Sequence, residues 1–315
     1  MMSSHVKALH EAIHRDAGTH HILGNEELLD FLLIAWLSRG HVLIEGPPGT
    51  GKTLSAKVLS KLLARSFKRI QFTSDMLPAD ITGSHVYQPG NQSFQFIKGP
   101  IFADCILADE INRTPPRTQS ALLEAMEERQ VTVEGNRFEL ASDFFVIATQ
   151  NPQDFEGTFP LPEAQTDRFL FKLALTHASA EVDTRIMRGA LDGTLTPNFE
   201  TLRGIPVDRA ALDAEIEAIR VDESILTYIS RILGMTRTHP QLVIGASVRG
   251  GLAIARASRV LAALAGRDFV IPDDVKKLSI PVLRHRVHVT PEAQMGGETA
   301  EKILGEILKK AEFPT

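Results

Sequence analysis

Apolar residues recur along this chain in two ways, and the change between them divides it. Up to about residue 174, short and nearly unbroken apolar runs alternate with segments of helical spacing, whereas from residue 207 onward only helical spacing remains. Strands are predicted at 41–45, 68–73, 103–110, 144–151 and 170–174. Helices are predicted at 4–16, 25–38, 54–63 and from Pro115 or Pro116 to about 129, then at 180–190, 209–219, 222–238, 247–265, 272–284 and 298–312. Two stretches alternate around turn residues and predict β-hairpins: 81–101, turning at Pro89-Gly-Asn-Gln, and 130–140, turning at Glu134-Gly-Asn. Asn25 and Ser247 stand where helix N-caps belong, and Gly40 where a helix should stop. Gly193 to Pro197 is rich in Gly, Thr and Pro and predicts a linker, giving domains 1–176 and 207–315 with residues 177–206 between them.

Between the strand at 41–45 and the helix at 54–63 stands Gly46-Pro-Pro-Gly-Thr-Gly-Lys-Thr53, which satisfies the pattern GxxxxGK[ST] in full. Strand before and helix after are the context that a phosphate-binding loop requires. Glycines at 46, 49 and 51 let the backbone wrap so that its N–H groups and the helix N-terminus face phosphate oxygens. Lys52 would reach the β and γ phosphates and Thr53 would hold Mg²⁺. The nucleotide-binding stretch is Gly46, Pro47, Pro48, Gly49, Thr50, Gly51, Lys52, Thr53 and Leu54, and its ligand is a nucleoside triphosphate.

The strand at 103–110 ends in adjacent carboxylates, the Walker B pattern. Asp109 is assigned to the metal's water shell, and Glu110 to polarising a water for in-line attack on the γ-phosphorus. Asn151 ends the strand at 144–151, from which it can reach the γ-phosphate or that water; capping the loop before Pro152 is its other reading. Arg168 divides evenly between a charge partner for phosphate and a local role, pairing with Asp167 or capping a helix. Arg249 falls in the first turn of a helix, where the dipole disfavours a cation, which hints at a function.

Composition narrows the remaining choices. The chain has 315 residues, 43% of them hydrophobic, enough for two cored domains. A net charge of -5 and a pI near 6.1 argue against a general polyanion binder. The longest apolar run, 28–37, contains Asp30 and falls short of the roughly 20 residues of a membrane span. The N-terminus lacks a signal-peptide apolar core, and the single cysteine, Cys105, lies in a predicted buried strand, so the expected setting is the cytoplasm. His10 and His14 have metal-ligand spacing, but without a third acidic or cysteine ligand expected nearby they read as a solvated helix face. Trp36 reads as core.

Taken together these motifs resemble the AAA+ ATPases and, in order and spelling, the MoxR family. The resemblance spans nearly the whole chain: Ile22-Leu-Gly-Asn-Glu-Glu27, the P-loop with its strand, Ala108-Asp-Glu-Ile-Asn-Arg113, Ala148-Thr-Gln-Asn-Pro152, Leu161-Pro-Glu-Ala-Gln-Thr-Asp-Arg-Phe169, Gly245-Ala-Ser-Val-Arg249 and Val282-Leu-Arg-His-Arg286. Asn25 and Val248 depart from the family's usual Gln and Pro. The resemblance implies an α/β fold, with a doubly wound parallel five-stranded P-loop domain followed by an all-helical lid. The first hairpin would be the helix-2 insert and the second the pre-sensor-1 hairpin. It also implies that ATP rather than GTP is hydrolysed to ADP and phosphate, with Mg²⁺, and that Asn151 is sensor 1, Arg168 an arginine finger serving a neighbouring subunit and Arg249 sensor 2. Self-association into a hexameric ring and chaperone-like remodelling or maturation of partners carrying a von Willebrand factor A domain, during metal insertion or complex assembly, follow from the same resemblance. The alternative is a DNA-acting motor of the helicase or clamp-loading type. Against it stand the acidic balance and a first hairpin with no Lys or Arg from Ser84 to Phe96. A nucleotide-dependent scaffold without turnover is disfavoured by the presence of Glu110, Asn151 and Arg168 together.

Overall fold

The computed structural model describes residues 4–19, 24–90, 92–151, 158–193, 199 and 202–314. Ile22 and Leu23, Pro152, and most of the 193–197 stretch, named above, lie outside the described residues. In chain order the elements of the first part are α1 (His5–Thr19), α2 (Glu26–Leu37), β1 (Val42–Glu45), α3 (Lys52–Leu62), β2 (Phe67–Gln71), α4 (Pro78–Thr82), β3 (Gly83–Gln88), β4 (Ser93–Lys98), β5 (Cys105–Asp109), α5 (Pro116–Glu128), β6 (Gln130–Val133), β7 (Asn136–Glu139), β8 (Phe145–Gln150), α6 (Glu163–Thr166), β9 (Phe171–Ala174) and α7 (Ala180–Leu191). There follow α8 (Arg209–Ala218), α9 (Glu223–Arg237), β10 (Leu242–Ile244), α10 (Val248–Leu264), α11 (Pro272–Leu283), β11 (His288–Val289), α12 (Pro291–Met295) and α13 (Ala300–Lys310).

Five strands form one sheet in the order β2-β5-β8-β1-β9, with parallel pairing in β1–β8, β5–β8 and β2–β5. Burial explains the order. β5 is buried at every position and β8 at all but its last, as strands covered on both faces must be. β2 buries only Ile70 fully, which suits its place at the sheet edge. Ile106, Ala108, Leu122, Leu123, Val146 and Phe169 belong to one buried cluster on this sheet.

Both expected hairpins are present. β3 and β4 pair Tyr87 with Phe94, and β6 and β7 pair Val133 with Asn136. The hairpins dock on each other through Phe96 stacked on Phe138, with ring centroids 4.2 Å apart and planes at 19°, and His85 approaches Glu134 at 3.1 Å. Asn25 holds the N-cap position of α2 without a side-chain capping bond, and Ser247 does the same for α10.

Two compact units emerge: Ile13–Phe169 with Leu173–Pro206, and Val207–Thr315 with Met1–Ala12 and Leu170–Lys172. In the second, α8 to α11 and α13 bury Leu212, Tyr228, Ile232, Ile254, Leu278, Val282, Leu304 and Ile307. The purely helical expectation for 207–315 is corrected by the small antiparallel ladder of β10 and β11. Two to three residues at a time are too few for a periodic signal. Among the described residues no helix is long and apolar enough to cross a membrane.

His41, at the foot of β1, ties three elements together. Its Nε2 lies 3.2 Å from the Met126 carbonyl, and its Nδ1 accepts from the Val146 N–H at 3.1 Å. That pattern needs the neutral ring, and burial pushes its pKa down from 6.5 to about 4. The unfolded chain binds the extra proton below pH 6.5 and the folded one only below about 4, so stability falls as pH falls through that window. Acidification from pH 7 to pH 5 should cost about 2 kcal/mol from this residue alone. Urea unfolding of wild type and His41→Gln at the two pH values checks it: the variant should lose markedly less stability on acidification.

Candidate functional site

The site is assembled where β1, β5 and β8 end. Ile44 lies opposite Thr149, Glu45 opposite Gln150, and Ala108 opposite Ala148, so the chain leaves all three strands in one layer. The Gly46 N–H reaches the Gln150 carbonyl at 3.4 Å, which sets the P-loop beside Asn151. Open α/β sheets bind their ligands at such carboxyl ends.

Two glycines of the loop are required by what surrounds them. A Cβ on Gly46 would stand 2.8 Å from the Leu175 carbonyl oxygen. Gly51 adopts φ +79, a left-handed conformation, and a Cβ there would fall 2.4 Å from Asn25 Nδ2. Asn25 therefore serves the loop instead of capping its own helix, donating to the Thr50 carbonyl at 3.1 Å. Thr50 Oγ1 donates to the Pro47 carbonyl at 3.1 Å. Lys52 folds back on the loop, its Nζ 2.7 Å from the Gly46 carbonyl and 2.8 Å from that of Pro47. Burial lowers its pKa, and the negative charges of Asp109 and Glu110 oppose that shift. Lys52 thus shares one electrostatic neighbourhood with both carboxylates. Thr53 and Leu54, half-buried, lie in the first turn of α3, whose leading N–H groups have no acceptor within the helix.

Asp109, Glu110 and Thr149 form a tight unit. Thr149, fully buried, donates to Asp109 Oδ1 at 2.6 Å and accepts from the Glu110 N–H at 2.9 Å. Arg69 on β2 donates to Asp109 Oδ2 through Nε and Nη2, at 2.9 and 2.7 Å. Glu110 sits at φ 58 and ψ 48, a left-handed backbone that costs a non-glycine residue about 1 kcal/mol. Its Oε2 accepts from Gln71 Nε2 at 2.7 Å and lies 3.1 Å from Arg113 Nε. A hard oxygen donor pair, the Asp109 carboxylate and the Thr53 hydroxyl, suits a hard divalent cation such as Mg²⁺.

Arg168 follows α6, and its Nη2 pairs with Glu127 Oε2 at 2.8 Å. Arg249 is exposed in the first turn of α10, in the helical unit. The sequence reading left Arg69, Gln71 and Thr149 without roles. Arg69 and Gln71 alternate around buried Ile70, a detectable signal, but nothing in the sequence says that their strand neighbours Asp109. His14 is likewise corrected: its Nε2 lies 2.6 Å from Asp30 Oδ1, an acidic neighbour brought by the packing of α1 against α2 rather than by sequence proximity.

Comparison with known proteins places the chain in a family. Residues 41–171 match the ATPase family associated with various cellular activities (AAA), and residues 234–307 match the AAA lid domain. A crystal structure from Cytophaga hutchinsonii, described as a candidate ATPase, superposes with a TM-score of 0.90 at 35% identity over 98% of this chain and 96% of that one. Fold and loop together define an AAA-class ATPase. The Bacillus subtilis protein YeaC is 45% identical over 93% of this chain and 91% of its own, and Chaperone MoxR1 of Mycobacterium tuberculosis 39% identical over 93% and 79%. Protein MoxR of Methylorubrum extorquens is 30% identical over 87% and 86%. The chain belongs to the MoxR family of AAA+ ATPases.

Thr149 offers a direct check on the site's construction. Thr149→Val keeps the shape but leaves the Glu110 N–H without its acceptor and Asp109 Oδ1 without the Thr149 donor, an expected cost of about 2 kcal/mol. Chemical unfolding of the variant measures it; an unchanged midpoint would mean that the two bonds contribute nothing.

Proposed function

We propose that the chain hydrolyses ATP to ADP and phosphate and couples this to chaperone-like remodelling or maturation of partner proteins. The observation that carries the reading is the neighbourhood that Lys52, at the end of the loop that follows β1, shares with Asp109 and Glu110 at the end of β5, with β8 between the two strands. In this reading Gly46 to Leu54 bind the polyphosphate, with Lys52 exchanging its two loop carbonyls for the β and γ phosphates. Thr53 and Asp109 hold Mg²⁺, which supplies charge neutralisation on the phosphates. Glu110 orients the attacking water and accepts its proton, and Asn151 orients the γ-phosphate or that water from the adjacent strand.

Arg168 is assigned to the site of a neighbouring subunit in a hexameric ring. Its partner Glu127 is 47% exposed, and so accessible a pair holds a guanidinium weakly, which supports its availability as a finger. Arg249 is assigned to reporting γ-phosphate to the lid, residues 207–315. The client is read as a protein, one carrying a von Willebrand factor A domain, at a step of complex assembly or metal insertion. The exposed Tyr87 and Phe94 of the first hairpin, ring centroids 5.4 Å apart, support an apolar client surface over a phosphate backbone. This reading puts the work in the cytoplasm, where ATP is supplied.

Glu110→Gln should bind ATP as wild type does and turn it over at least about 100-fold more slowly, because the amide keeps the shape and cannot take the proton. Parallel binding and phosphate-release assays check this, and equal loss of both would make Glu110 structural. Arg168→Ala should also be slow while its own nucleotide affinity stays intact. Mixing it with Glu110→Gln subunits should restore turnover, since some interfaces then join an intact site to an intact finger. A mixture that assembles yet stays as inactive as its parents would assign Arg168 to its pair with Glu127 alone.

A further inference from the structure

β2 lies against β5 with Arg69 opposite Leu107 and Gln71 opposite Asp109. Alternate residues of a strand share a face, and a side chain as long as arginine reaches diagonally to the residue two places on. Arg69 does so, and its two N–H groups converge on Asp109 Oδ2. Oδ1 is taken by the Thr149 hydroxyl. Both oxygens of the carboxylate assigned to the metal are therefore engaged, one of them by a fixed positive charge of the chain itself.

Exposure separates the two partners. The Asp109 side chain is 11% exposed and that of Arg69 49%. A half-exposed guanidinium can turn into water at little cost, whereas a nearly buried carboxylate needs another cation when it leaves. Gln71 Oε1, which also accepts from Arg69 Nη2, gives the departing group an acceptor on its own strand.

We propose that Arg69 is the resident counter-cation of Asp109 and competes with the divalent cation for it, so that Arg69 sets how much Mg²⁺ the site needs to take up nucleotide. The inference rests on the nucleotide reading above and adds to it a positioning residue on the neighbouring strand. Two N–H groups of Arg69 already take up the lone-pair directions of Oδ2, so the cation or a water of its shell gains Oδ2 as Arg69 moves off it, which couples metal uptake to movement of Arg69.

The test uses the full chain, a fluorescent ADP analogue and a Mg²⁺ titration beginning in EDTA. Arg69→Gln should lower the Mg²⁺ concentration for half-maximal binding at least threefold. Arg69→Lys, which keeps the charge but loses the two-pronged contact, should fall between Arg69→Gln and wild type, and it carries the test if Arg69→Gln does not fold. Arg113→Gln, which removes a charge paired with Glu110 instead, should shift the midpoint less. A folded Arg69→Gln that needs as much Mg²⁺ as wild type overturns the proposal, as does an equal shift from Arg113→Gln, which would reduce the effect to a general field. Wild type that binds the analogue equally well in EDTA and Mg²⁺ sinks this inference and leaves the nucleotide reading standing. Wild type that binds no nucleotide at any Mg²⁺ concentration sinks both.

Discussion

The hydroxyl of Thr149 pins the register on which the rest of the site depends. β1, β5 and β8 are apolar along most of their length, so a slip of one residue along the ladder would exchange one buried aliphatic for another at little cost. Only their carboxyl ends are polar. There Thr149 bonds both the Asp109 carboxylate and the Glu110 amide, and a slip would part all three and leave the buried Thr149 hydroxyl without its partners. With that register held, Gly46, Glu110 and Asn151 leave the sheet together.

Charge is crowded where those strands end. Asp109 and Glu110 are consecutive, and the cations that balance them come from three directions: Lys52 from the loop, Arg69 from the edge strand and Arg113 from the turn beyond. None of the three cations is buried. Lys52 rests on carbonyls of its own loop, Arg69 is half in water, and Glu110 is held in a left-handed backbone that only a supporting network sustains. A site built from exchangeable partners can accept a polyanion and its cation without moving the sheet beneath it.

The hairpins obey a different logic. Phe96, Phe102 and Phe138 pack together and anchor the first hairpin to the second, while Tyr87 and Phe94 remain at the surface. His85, Tyr87, Phe94 and Phe96 share one face of β3 and β4, and position along the hairpin separates them: the pair His85 and Phe96 lies toward its base and anchors, while Tyr87 and Phe94 lie toward its tip and are displayed. The anchor ties the first hairpin to the second, which runs between α5 and β8 in the chain, the strand whose carboxyl end helps form the candidate site.

Sequence alone determined the elements and the chemistry that each carries in itself. The P-loop, the paired carboxylates and both hairpins are local patterns, because a glycine turn, an apolar run or an alternating strand needs only its neighbours in the chain to be recognised. Family spelling extended this to the sheet and its lid. What the sequence did not contain is adjacency. Strand order brought Arg69 and Gln71 to Asp109 and Glu110, about forty residues away along the chain. Helix packing brought Asp30 to His14, and loop closure turned Asn25 from a cap into a brace for Thr50. These are contacts between side chains whose separation along the chain carries no period, so only the folded backbone, through its register and crossing strands, decides which of them meet.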